Sequence, residues 1–194
     1  MMKRYNAVED PLCYPGTQVL RNKGDYRDAE ELEDFEEAMY EIRAQEDLPL
    51  GQLDYAHYRA IHRHFFQDVY DWAGETRQIR TSKGNSQFCY PEYIEAQMNN
   101  LLGQLAQEGH LGDLVNPDDF AERAAHYIAE INAVHPFREG NGRCQLALLA
   151  ILTDNAGFTM DQDKLNPEAW MKAMIESFSG STDPLAAEIR KMIQ

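Results

Sequence analysis

Leu32, Phe35, Met39 and Ile42 recur at three- and four-residue intervals inside an otherwise acidic stretch, DAEELEDFEEAMYEIRAQ. That spacing is the period of one helical face. Asp28 precedes the first apolar position as an N-cap, with Glu31 three residues on as its capping-box partner. The acidic face opposite is either a solvated surface or a docking face for a basic partner. Pro49 and Gly51 break the pattern, and Asp54 caps a second run, DYAHYRAIHRHFFQDVYDW. There Ile61, Phe65, Val69 and Trp72 fall on one side.

The helical period is lost after Gly74. Partial alternation through Ile79, Thr81 and Phe88 predicts a β-hairpin turning near residues 83–86. Helices then resume, several of them opened by an extended residue followed by proline at the first helical position. Pro91, Asn116-Pro117, Asn166-Pro167 and Asp183-Pro184 mark four such starts, with stops at Gly109 and Gly180. Asn141 opens a further helix that stops at Gly157. Its segment LALLAIL is apolar on every side, which predicts burial all round. The fold class is therefore all-α: helices around a central buried helix, with one β-hairpin. Residues 1 to about 27, rich in proline and glycine, read as an irregular lead-in.

Charge narrows the function classes. Eighteen basic and 33 acidic residues give a formal charge of −15, which argues against binding a nucleic acid polymer. It leaves room for one nucleotide in a local cationic pocket. No run of eighteen apolar residues exists, so no membrane span is expected. The start MMKRYNAVEDPLCYPG lacks the apolar core of a signal peptide, and a cytoplasmic location is expected, with export by another signal left open. Cys13, Cys89 and Cys144 are too scattered for a disulfide framework and read as free thiols.

The densest chemistry lies in VHPFREGNGRCQL, residues 134–146. Gly140, Asn141 and Gly142 permit a backbone nest whose amides, at a helix start, bind an anion. Arg143 in the first turn adds a cation with a fork matched to phosphate oxygens. Glu139 beside an anion site makes sense if Mg²⁺ bridges its carboxylate and the phosphates; the alternative is an acid serving the helix dipole. His135 is kept out of the helix by Pro136, which biases it to an extended conformation, and Phe137 plugs the loop into the core. A histidine so tethered is a candidate general base. His57, His62, His64, His110 and His126 show no metal-ligand spacing, and neither a Walker A loop nor a G-x-S-x-G elbow occurs.

HPFREGNGR, residues 135–143, resembles the signature of the Fic family, H-P-F-x-[D/E]-G-N-G-R-x-x-R, at nine contiguous positions. The resemblance covers roughly residues 50–190. It implies a Fic-type helical domain at 51–194, with residues 1–50 as an extension whose acidic helix packs on it. It also implies transfer of a nucleotide monophosphate, usually AMP from ATP, to a Ser, Thr or Tyr hydroxyl of a target protein. Under it His135 deprotonates the hydroxyl and Glu139 holds Mg²⁺. Gly140, Asn141 and Gly142 form the anion hole, and Arg143 grips the β-phosphate. The hairpin becomes a flap that docks the target by strand addition, with Arg77, Ile79, Arg80, Thr81 and Lys83 at the docking surface.

The chain departs from the signature at Leu146, where the second arginine stands in the family. Losing a charged phosphate contact costs about 1.5–3 kcal/mol. Three alternatives follow: an AMP-transferring enzyme, a transferase with another phosphate-containing donor, or a non-catalytic nucleotide- or protein-binding module. The family's inhibitory pattern, [S/T]-x-x-x-E-[G/N], is absent, so an inhibitor is expected as a small antitoxin-like partner acting in trans.

Overall fold

A computed structural model of the chain describes residues 10–83 and 86–194. Helix α1 (Ala29–Ala44) is capped by the Asp28 carboxylate, which accepts from the amides of Glu30 and Glu31. Helix α2 (Tyr55–Phe66) is capped by Asp54, which accepts from the His57 amide. Proline occupies the first turn of α3 (Pro91–Gln107), α4 (Pro117–Val134), α6 (Pro167–Ser177) and α7 (Asp183–Met192). Its missing N–H costs nothing there, because the first helical amides have no intrahelical partner. Helix α5 (Asn141–Asn155) starts at Gly140 and carries no capping side chain.

Helix α2 ends earlier than its periodicity suggests. Residues 67–74 turn back instead, and Val69, Tyr70 and Trp72 still reach the core from that turn. Gly74 makes the reversal possible at φ +84°, where a Cβ would lie 3.0 Å from the Arg59 carbonyl oxygen. Apolar spacing reported which side chains are buried there, not which backbone carries them.

Helix α4 is the most enclosed element, packed by α3, α5, α6 and α7. Small residues Ala121, Ala124, Ala125 and Ala129 line it between Phe120, Ile128 and Ile131, so its neighbours approach closely. Leu185, Ile189 and Met192 of α7 are likewise buried in the core cluster, each contributing about 1.5–3 kcal/mol of burial. Helix α5 buries Cys144, Gln145, Leu148, Leu149 and Leu152, but Leu146, Ala147, Ala150 and Ile151 are only half-buried. The all-round burial expected of LALLAIL is therefore corrected: one flank stays partly open.

The strand pair is short. Ser82–Lys83 (β1) pairs antiparallel with Ser86–Gln87 (β2), Ser82 opposite Gln87 and Lys83 opposite Ser86. Its turn, Gly84-Asn85, and the Lys83 side chain expected at the docking surface lie outside the described residues. Helix α1 packs on α2, with the Tyr40 ring centre 5.0 Å from that of Phe65. Among the described residues no helix is long and apolar enough to cross a membrane.

Candidate active site

The signature loop joins α4 to α5, and most of its backbone groups have an identified partner. His135 is not extended as Pro136 suggests. It caps α4 at φ 51° and ψ 63°, in the left-handed region. Its amide still reaches the Ile131 carbonyl at 2.9 Å, so the residue closes the last turn and reverses the chain in one step. For a non-glycine residue that conformation costs about 1–2 kcal/mol, and the loop must supply the restraint.

Three side chains supply it. Asn141 closes a ring on Phe137, accepting from its amide at 3.0 Å and donating to its carbonyl at 2.8 Å. His62 donates from Nε2 to the Glu139 carbonyl at 3.0 Å, while its Nδ1 accepts from the Gly74 amide at 2.8 Å. Arg77 donates to the His135 and Val134 carbonyls at 2.7 and 3.1 Å. Phe137 is fully buried and stacks on His62 at 3.9 Å, as the expected core plug. Burial pushes the His62 pKa down to about 4, so the ring is neutral and its single proton sits on Nε2.

The candidate anion nest follows at once. Gly140, at φ +79°, is buried, and a Cβ there would meet Phe66 at 2.2 Å. Gly142 is exposed, with nothing near a would-be Cβ. Helix α5 therefore presents uncapped first-turn amides next to open space, the arrangement that accepts a phosphate. The Asn141 side chain is consumed in holding Phe137, so its contribution to an anion is its backbone. Arg143 is half-buried and pairs at 2.6 Å with Glu36 of α1, its guanidinium 4.7 Å from the Tyr40 ring centre. Glu36 is in turn held by the Tyr70 hydroxyl at 2.5 Å. Burial raises the Glu36 pKa, against the lowering pull of Tyr70 and Arg143. The acidic face of α1 thus divides: Glu36 turns inward to the site while its exposed neighbours are solvated.

Glu139 is exposed, and its Oε1 accepts from the Gly140 amide at 2.9 Å. Among the described residues no three histidine, cysteine or carboxylate groups converge to hold a metal alone. One exposed carboxylate, with Oε2 left open beside a candidate phosphate nest, suits Mg²⁺, which keeps waters and takes phosphate oxygens as ligands. Leu146 lies one turn beyond Arg143 on α5 and adds neither charge nor donor.

The flap departs most from expectation. Arg77 is not at the docking surface: it is 2% exposed, with all its polar contacts made to carbonyls. Arg80 is exposed, lies 4.1 Å over the Tyr90 ring and faces Glu92 at 3.8 Å. Ile79 and Thr81 are half-buried, the Thr81 carbonyl accepting from Phe88. Phe88 stacks on the His135 ring at 3.8 Å and 10°. Sequence reasoning did not anticipate His62, Glu36, Phe88 or the buried Arg77. His62 lacks ligand spacing and Glu36 sits in an acidic run, so neither stands out in the chain.

The family model of the Fic/DOC family matches residues 52–153. The chain is 60% identical over 192 residues to a probable protein adenylyltransferase, y4lH, of Sinorhizobium fredii, covering 99% of this chain and 100% of that one. It is 35% identical over 195 residues to the probable protein adenylyltransferase Fic of Escherichia coli, covering 100% and 96%. Among solved structures, the BepC protein of Bartonella tribocorum, crystallised with bound AMPPNP, superposes with a TM-score of 0.85 at 25% identity, over 94% of this chain and 96% of that one.

Proposed function

The chain belongs to the Fic/DOC family, and on that premise we propose that it transfers AMP from ATP to a Ser, Thr or Tyr hydroxyl of a target protein. The observation that carries this reading is the single loop that ends at a clamped His135 on one side and at the uncapped α5 nest on the other. Base and phosphate site are thereby fixed on one rigid segment, which is what an in-line displacement demands.

In this reading the His135 imidazole takes the hydroxyl proton, and the hydroxyl oxygen attacks the α-phosphorus. The bond from the α-phosphorus to the bridging oxygen breaks, and pyrophosphate leaves. The Gly140 amide, expected in the anion hole, is taken by the Glu139 carboxylate, so the amides of Asn141, Gly142 and Arg143 hold phosphate oxygens through fixed dipoles. Arg143 uses one nitrogen on Glu36, which leaves further donors for the β-phosphate. Glu139 would hold Mg²⁺, which when bound neutralises phosphate charge. Exposed Arg80 and the strand edge would receive the target segment. We place the catalytic domain at 51–194, with residues 1–50 as an extension carrying Glu36 to the site. A small antitoxin-like protein is the inhibitor we expect, with contacts adapted to Leu146, and the cytoplasm is the expected compartment.

Leu146 favours a second reading, a donor without a terminal phosphate contact. A panel of labelled nucleotide donors, incubated with lysate and with either the protein or its His135→Ala variant, tests both. Histidine-dependent labelling of a protein band is expected, and the donor that labels is the substrate. Equal labelling by both proteins, or none from either with nucleotide binding retained, points to a binding module instead.

A further inference from the structure

Arg77 is a buried cation whose Nε, Nη1 and Nη2 all end on main-chain oxygens. It reaches His135 at 2.7 Å, Val134 at 3.1 Å, Ile79 at 2.7 Å and Cys89 at 2.6 Å. Its own amide donates to the Pro136 carbonyl at 2.9 Å. Val134 and His135 are the C-terminus of α4, the negative end of an 18-residue helix. That helix end compensates a charge that burial disfavours. Ile79 and Cys89 flank the β1–β2 pair. One guanidinium therefore binds both ends of the flap and the residue that carries the base.

Two further contacts join the same parts. The Cys89 amide donates to the Ala133 carbonyl at 3.0 Å, and the Phe88 ring lies flat on the His135 imidazole. We propose that Arg77 is a positioning residue: it locks flap and signature loop into one unit, so a target segment docked on the flap arrives in register with His135. This rests on the reading of His135 as the base. A planar fork with fixed donors is needed to serve four carbonyls at once, which a lysine ammonium cannot do.

The test uses Arg77→Lys and Arg77→Met, with Ile189→Ala, buried on α7, as a core variant of lowered stability. Transfer kinetics, calorimetric nucleotide binding and amide hydrogen exchange at Cys89 are measured on each. Arg77→Lys is expected to lose about 100-fold in kcat, the scale of a misplaced reacting group. Its nucleotide Kd should stay within about twofold, because the α5 amides are untouched. Cys89 should lose exchange protection, while Ile189→Ala should lower Tm and leave kcat in place. If Arg77→Met does not fold, Arg77→Lys decides. An unchanged kcat in Arg77→Lys overturns the proposal, as does a loss of nucleotide affinity matching the loss of kcat. Unchanged Cys89 protection overturns the clamp whether or not the protein transfers anything. Absent transfer by the wild type, by contrast, overturns the reading of His135 and leaves the exchange result to judge the clamp.

Discussion

His62 shows how much one side chain decides here. It is neutral, stacked on Phe137, and bonded at both nitrogens to main chain. Its pKa of about 4 lies below the unfolded value of about 6.5. The unfolded chain therefore binds the extra proton first, and stability is complete above about pH 6.5 and is lost as pH falls toward 4. The loss amounts to about 3 kcal/mol. Denaturant unfolding at stepped pH should show this slope in the wild type and not in His62→Gln; parallel slopes contradict it. The two glycines of the nest give a second contrast. Gly140→Ala meets Phe66 in a left-handed conformation and should cost about 2–4 kcal/mol. Gly142→Ala faces open space at a helical position and should be neutral or stabilising by up to about 1 kcal/mol. Melting curves of the two variants decide it: equal destabilisation means the nest is not built as described.

At the scale of elements, helix boundaries were legible wherever local chemistry marks them. Asp28, Asp54, Asn116 and Asn166 cap their helices, and Pro91, Pro117 and Pro167 open theirs after an extended residue as the sequence places them; α7 instead begins one residue earlier, with Asp183 already helical. Contacts across the fold were not legible. Arg77 looks like a surface cation in its own neighbourhood, and only the packing of the flap on the end of α4 buries it. The left-handed His135 ran against the preference set by Pro136, because closing α4 outweighed it. Helix α5 carries the clearest prediction at this scale. In His135→Ala protein, which cannot turn over by the proposed route, adding Leu146→Arg should tighten ATP binding by about 1.5–3 kcal/mol and leave ADP binding unchanged. Calorimetric titration reads both, and equal gains for the two nucleotides would refute a terminal-phosphate role for that position.

Across the whole molecule, the motif and the all-α class could be read from spacing alone, and the resemblance named the family. What spacing could not show is that α1, outside the matched residues 52–153, closes one side of the site through Glu36 and Arg143. The central claim is nucleotidyl transfer by His135, and the fate of the donor's phosphates tests it most directly. ATP labelled at the α-phosphate and ATP labelled at the γ-phosphate are incubated in parallel with lysate and the wild-type protein or His135→Ala. The α-label should enter a protein band only with the wild-type protein, and the γ-label should enter no band that is not equally labelled with His135→Ala. A γ-labelled band that depends on the wild-type protein, or α-labelling that survives His135→Ala, would contradict the account.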